Sequence, residues 1–122
     1  MRKTFGFHGG IHPPENKHQS MTRGIAQAGI PDKLVIPLSQ HIGAPASPCV
    51  EPGDRVLKGQ VIAEATGFVS VPHHAPTSGT VEAIEERVVA HPSGLTAPCI
   101  VIKPDGKEQW VDRTGAENYE SI

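Results

Sequence analysis

The seven histidines are the residues of this chain best suited to bind a metal ion, because neutral imidazole is the commonest metal ligand in proteins. His8 and His12 are four residues apart, but a Gly-Gly pair lies between them, so a helical pair of ligands is not expected. His73 and His74 are adjacent in a predicted strand, where successive side chains point to opposite faces. Neither pair is therefore predicted to chelate a metal ion.

Two further histidines, His41 and His91, lie in predicted turns, and the sequence leaves open whether those turns meet. Metal sites combine histidine with cysteine or carboxylate at fixed spacings, and no such set is recognisable. The pattern of β-sheet zinc peptidases is also incomplete, because it needs two histidines separated by one residue. We therefore predict no bound metal, and the milder role of a pH-sensitive surface patch stays open for the histidines.

The two cysteines, Cys49 and Cys99, lie fifty residues apart and lack the CxxC clustering of zinc knuckles and iron–sulfur sites. We expect both to be buried, inert thiols rather than a disulfide or a ligand pair. Ser39 lies near His41, but that spacing alone is too common to indicate a nucleophile and its base. No catalytic residue is predicted.

The elements that carry these residues are short. The chain has 13 glycines and 12 prolines, and turn residues recur between brief apolar runs about every eight to twelve residues. Strands are predicted over 34–38, 61–64, 69–72, 80–85 and 99–102. This pattern is typical of an all-β barrel or sandwich.

Three turns should frame those strands. In the first, Pro52 presets φ, Gly53 accepts a positive φ and Asp54 completes the turn. Gly59 and Gly79 mark two further predicted turns. Proline at position 37 favours an edge strand or a bulge for the first β segment, because proline cannot donate to a neighbouring strand.

Charge and hydropathy exclude several function classes. The net charge is -2, the pI is about 6.4 and the basic residues are scattered, which is not the footprint of a nucleic-acid-binding protein. The apolar runs are too short to cross a bilayer, and Met1-Arg2-Lys3 is not followed by a signal-peptide core. A soluble, cytoplasmic domain is expected.

Two strings, "GDRVLKGQVI" (53–62) and "APTSGTV" (75–81), resemble the pattern of biotinyl and lipoyl carrier domains. In such carriers, a lysine at a hairpin tip bears the prosthetic group. Here the corresponding tip is Glu64-Ala65-Thr66-Gly67-Phe68, and Gly67 occupies the place of the lysine. The resemblance implies a barrel-sandwich hybrid fold in which carrier chemistry is absent.

Longer strings extend the resemblance over most of the chain. "GGIHPPENK", "IPLSQHIGAPASPCVEPGDRVLKGQ" and "HAPTSGTVEAI" are similar to the N-terminal domain of the RnfC family, a component of the Rnf electron transport complex. That resemblance implies a peripheral subunit at the cytoplasmic face of a membrane-bound, ion-translocating oxidoreductase that exchanges electrons between NAD(H) and a ferredoxin-type partner. It also implies later domains with FMN, NADH and two [4Fe–4S] clusters, none of which has matching residues here.

The expected organisation follows from these patterns: an arm over 1–32, the barrel-sandwich hybrid over 33–106, and a linker or tail over 107–122. The leading interpretation is a non-catalytic scaffold that contacts downstream domains of the same subunit and other subunits of the complex. The alternative is a lysine-less, carrier-like domain that binds a small ligand or a metal directly.

The arm is one candidate interaction segment, through Phe7, His8, Ile11 and His12. It either wraps its own barrel or bridges to a neighbouring domain or subunit, and the sequence favours neither. A single helical turn is predicted within the arm at Thr22–Ala28, limited by glycines.

The tip is the second candidate interaction segment, through Gly67 and Phe68. A phenylalanine at a hairpin end either folds back on the core or is presented to a partner. Because aromatics make up only 4% of this chain, burial of Phe68 is the favoured expectation.

Overall fold

The computed structural model describes residues 6, 8–11, 13–115, 118 and 120. Within them lie seven strands and one 3₁₀ turn, Lys17–Gln19, and no α-helix. The strands are β1 (Leu34–Pro37), β2 (Ser47–Pro48), β3 (Arg55–Val56), β4 (Val61–Glu64), β5 (His73–His74), β6 (Gly79–Val88) and β7 (Thr96–Pro104). The all-β prediction is confirmed.

The strands form two antiparallel sheets. The larger has the order β1-β7-β6-β3, and the smaller has the order β2-β4-β5. The long β6–β7 hairpin, which pairs Gly79 with Pro104 and Val88 with Thr96, is the framework of the larger sheet. As proline at position 37 suggested, β1 is an edge strand, paired on one side only with β7.

The core lies between the two sheets and is aliphatic. Ile62 comes from the smaller sheet, while Val56, Val81, Ile100 and Ile102 come from the larger one, and all five are fully buried. Each such side chain contributes roughly 1.5–3 kcal/mol by leaving water. Alternation along β6, where Val81 points inward and its neighbours outward, sets which face the sheet buries.

The predicted turn glycines serve different purposes. Gly53 and Gly59 have φ of 100° and 83°, as the turn pattern required. Gly79 instead begins β6, and a Cβ there would overlap the Lys103 carbonyl oxygen and lie 3.0 Å from the Pro104 Cα. Close approach of two strand backbones, rather than a turn, explains this glycine.

Two local predictions were wrong. No strand covers 69–72, because this backbone bonds to the loop before β2 rather than to a neighbouring strand; the strand is the shorter His73–His74. Thr22–Ala28 forms no helical turn, because Gly24 within it and Gly29 after it disfavour a helix and its exposed side chains provide no packing face. The arm's one described helical element is Lys17–Gln19.

The segment after β7 folds back onto the barrel through Asp105. The Asp105 carboxylate accepts hydrogen bonds from the Lys107 N–H (2.9 Å) and the Ser78 hydroxyl (2.7 Å), and it pairs with Arg55 at 3.0 Å. The Lys107 and Ser78 bonds, and then the charge of Arg55, hold the pKa of Asp105 below its ordinary value. Further along, Trp110 forms a parallel bridge with Lys58.

Candidate interaction site

The arm contributes no buried residue among those described, which are 6, 8–11 and 13–32. His8 and Ile11 are exposed, and Phe7 and His12 lie outside the described residues. Lys33, just before β1, forms an ion pair with Glu82 of β6 at 2.9 Å. These observations favour an arm that leaves the barrel rather than one that covers it.

The tip between β4 and β5 presents Phe68 to solvent. Its side chain is fully exposed, so the favoured expectation of burial was wrong. The neighbours Val69 and Val71 are also exposed. Hydrogen bonds on both sides of Phe68 fix the backbone of the tip loop against the loop between β1 and β2, and the Phe68 side chain is left in solvent.

Three hydrogen bonds anchor the tip loop to the loop between β1 and β2. Two of them join four residues: the Thr66 hydroxyl donates to the Pro45 carbonyl oxygen at 2.6 Å, and the Ala44 N–H donates to the Val69 carbonyl oxygen at 3.1 Å. Gly43 makes the approach possible, since its φ is 98° and a Cβ there would overlap the Val69 carbonyl oxygen. The two loops therefore behave as one layer.

His41 supplies the third anchor. Its Nε2 accepts a hydrogen bond from the Val71 N–H at 3.3 Å, and its Nδ1 lies 3.0 Å from the Ile42 carbonyl oxygen. Because Val71 donates to Nε2, the proton of the neutral ring sits on Nδ1 and is donated to Ile42. The imidazole is thus a structural bridge between the loops.

His73 packs edge-on against His41, with ring centroids 5.7 Å apart. It is 6% exposed, and neither ring nitrogen has a hydrogen-bond partner. Burial, followed by the nearby His41 and His74, lowers the pKa of His73, so the ring is neutral near pH 7. His74 faces the other way and is exposed, which confirms the predicted opposite orientation of the pair.

The turns that carry His41 and His91 do meet, which the sequence had left open. Both residues line a cleft beside Ile42, Val89 and Ala90. The His91 Nδ1 is hydrogen-bonded to the Ser93 side chain. In the part of the chain described, no three His, Cys, Asp or Glu side chains are arranged to hold a metal ion.

The cysteines differ in environment. Cys99 is buried as expected, but Cys49 is exposed, so the expectation of burial was wrong for Cys49. Cys49 lies in the connection between β2 and the turn at Pro52, and its Sγ is 3.6 Å from the Val61 carbonyl oxygen. Desolvation raises the pKa of both thiols, and the charge of Glu64 adds to this effect at Cys49. Both are free thiols, and neither is activated as a nucleophile.

Gly67 lies at the exposed tip, at the position that the carrier sequence pattern assigns to the lysine. A Cβ at this position would be 3.3 Å from the Ala44 Cβ. Lys58 belongs to another turn and is engaged with Glu108 at 2.6 Å. The tip therefore exposes the phenyl ring of Phe68 and has no lysine amine.

Comparison with known families decides the assignment. The family model for the RnfC barrel sandwich hybrid domain matches residues 5–107. The chain belongs to this family. Its two-sheet architecture agrees with that description, and the fold expected from the sequence is confirmed.

Several curated relatives of the chain are subunits of one kind of complex. The chain is similar to the C subunits of ion-translocating oxidoreductase complexes: it is 50% identical over 120 residues to that of Vibrio cholerae, 48% over 118 residues to that of Klebsiella pneumoniae, and 47% over 120 residues to that of Serratia proteamaculans. These alignments cover 97–98% of the chain but only 16–17% of each relative. Among the described residues, no helix is long and apolar enough to cross a membrane.

Proposed function

We propose that this RnfC-family chain is a non-catalytic scaffold module within the C subunit of an ion-translocating oxidoreductase complex. The observation that carries the proposal is a carrier-type barrel with Gly67 at the tip. The turn glycines at 53 and 59 keep the positive φ that the framework needs, so the fold persists without the amine. What the barrel offers to the complex is a rigid body with shaped loops.

The cofactors implied for the whole subunit do not fit the residues of this chain. Cys49 follows a strand of the smaller sheet and Cys99 lies within the larger one, so they do not form the thiolate cluster that a [4Fe–4S] centre requires. FMN, NADH and two [4Fe–4S] clusters would belong to the remainder of the subunit. The module would hold that remainder against other subunits at the cytoplasmic face of the membrane.

Deletion of residues 1–106 from the full-length subunit tests the scaffold. We expect the subunit to be lost from the purified complex, while NADH oxidation with an artificial electron acceptor persists in the truncated subunit. A matched deletion of residues 1–32 separates the arm from the barrel. Normal assembly of the complex after removal of residues 1–106 would refute the proposal.

The second candidate function is direct binding of a small ligand or metal, and His73 is the observation that favours it. A buried imidazole with two unpartnered nitrogens is costly, by roughly 1–3 kcal/mol for each polar atom, unless a bound molecule satisfies it. The ring lines a cleft with Gln40, His41 and His74. Calorimetric titration of the purified chain with Zn²⁺ and with FMN tests this function, and stoichiometric binding of either would favour it over the scaffold.

A carrier function, in which the prosthetic group would be attached covalently, has its own test. Incubation of the chain with biotin ligase and with lipoyl ligase, followed by intact mass measurement, should show no added mass. A covalently attached group would overturn the interpretation of Gly67.

A further inference from the structure

Charged residues are absent from three segments of this chain. Residues 38–50, 65–81 and 88–102 contain no Asp, Glu, Lys or Arg, although charged residues make up 20% of the sequence. Each segment contains buried residues, such as Val50, Val81 and Ile100, and there the lack of charge is ordinary. The loops within them, 38–46, 65–72 and 89–95, are largely exposed, and there the lack of charge is unusual.

These three loops meet at one end of the barrel, which we call the uncharged end. The Ala44 N–H donates to the Val69 carbonyl oxygen and joins the first two loops. Ile42 of the first loop and Val89 of the third line one cleft, which joins those two. The loops come from different parts of the sequence, so only the fold assembles this surface.

Large apolar side chains are exposed across the uncharged end. Phe68 is fully exposed and Ile42 is 86% exposed. Val69, Val71 and Leu95 are also exposed, and Val88 is exposed next to the third loop. Exposed aliphatic and aromatic groups with depleted charge are the composition of the centre of a protein–protein interface.

The surface is also pre-organised. The anchors between the first two loops involve Thr66, Val69 and Val71, which flank Phe68 on both sides. Binding therefore orders little additional backbone, which reduces the entropic cost of association. An unstructured loop would offer the same side chains at a greater cost.

We infer that the uncharged end docks against an uncharged, apolar surface on another protein chain of the complex; this inference rests on the proposed function. A charged partner surface would be desolvated opposite groups that cannot pair with it, which is unfavourable. A membrane surface is a poorer fit, because peripheral binding to anionic lipid relies on Lys and Arg around the apolar groups. The three loops contain neither, and Arg87, which precedes Val88, is ion-paired with Glu85.

A second copy of the same chain is also a poorer fit as the partner. Six exposed apolar side chains contribute to this surface, whereas a stable free interface takes about 20–30 residues from each partner. A chain that is already held in the same complex needs less contact area, because its effective concentration is high. That difference favours another subunit over a self-associating pair.

Charge insertion into the uncharged end of the full-length subunit provides the first test. We expect Phe68→Asp and Ile42→Asp each to lower the fraction of subunit that copurifies with the complex at least tenfold, with NADH oxidation unchanged. Thr114→Asp, an exposed position outside the uncharged end, should have no effect and serves as the matched control. Retention of both Phe68→Asp and Ile42→Asp at the wild-type level would overturn the inference.

This result separates the inference from the proposed function. If deletion of residues 1–106 abolishes assembly but both aspartate variants assemble normally, the scaffold stands and the docking surface is wrong. If the deletion has no effect, the scaffold itself fails.

A photo-crosslinker at position 68 of the assembled complex identifies the occupant. We expect an adduct with a different protein chain, at a site lined by uncharged apolar residues. An adduct with lipid only, with a second copy of the subunit only, or no adduct at all would each overturn the inference. The same crosslinker at position 114 is the control for random contact.

Discussion

Replacement of Gly43 by alanine should destabilise the chain and displace the tip. Gly43 has a φ of 98°, which an L-residue adopts at a cost of about 1–2 kcal/mol. The added Cβ would also overlap the Val69 carbonyl oxygen and lie 2.9 Å from the Val69 Cβ and 3.0 Å from its carbonyl carbon. The two loops must then separate, and the hydrogen bond from Ala44 to Val69 is lost.

The expected magnitude follows from these two effects. Loss of the hydrogen bond adds about 0.5–1.5 kcal/mol to the backbone strain, for a total of about 1.5–3.5 kcal/mol. Gly53→Ala is the matched control, because Gly53 has almost the same φ, 100°, and its Cβ would meet no atom within 4 Å. The control should show the backbone strain alone, about 1–2 kcal/mol.

Urea denaturation of both variants, with NMR spectra of the amides, measures this difference. For Gly43→Ala, the amide signals of Ala44, Val69 and Val71 should shift, while those of the core strands should not. If Gly43→Ala and Gly53→Ala lower the free energy of unfolding equally, within about 0.3 kcal/mol, the close approach of the two loops is refuted.

Three further predictions concern stability. Ile62→Ala, at a fully buried core position, should lower the free energy of unfolding in urea by about 2–5 kcal/mol. Val61→Ala, at the preceding residue with 37% exposure, should lower it by less than about 1 kcal/mol, and equal losses would contradict the packing. Asp105 has a lowered pKa, so its stabilising effect should be complete above pH about 4 and be lost as the pH falls through the folded-state pKa. Asp105→Asn should therefore flatten the pH dependence of the free energy of unfolding, measured by urea denaturation from pH 7 to 3. An unaltered slope would argue against this role of Asp105. His73 has a lowered pKa, so below pH about 6.5 the unfolded chain binds a proton that the folded chain does not, and stability should decline. The difference in the free energy of unfolding between wild type and His73→Gln should therefore change between pH 8 and pH 5. A constant difference would disprove the role of burial.

The fold was largely predictable because its signals are local. Alternation of apolar residues gave β4 and the inner half of β6, and the Pro-Gly-Asp turn gave the start of β3. The resemblance to carrier domains then supplied the architecture that local patterns leave open. The 69–72 segment was the failure: its alternation is real, but its backbone bonds to a loop distant in sequence.

The candidate site was less predictable. Gly67 and Phe68 were recognised from the sequence, because the tip stands where a carrier lysine is expected. The exposure of Phe68 was missed, since no local signal reports how a loop is anchored. The absence of charge in three segments was visible in the sequence, but each segment also contains buried apolar residues, such as Leu38, Ala75 and Ile100, that explain it equally well.

The sequence by itself determined the strand pattern, the turn chemistry and the lack of an amine at position 67, because these depend on residue type and near neighbours. Only the tertiary structure decided that loops 38–46, 65–72 and 89–95 share one end of the barrel, that Phe68 points outward, and that His73 is buried without a partner. These features depend on contacts between residues far apart in the chain, and the residue types alone are compatible with several such arrangements.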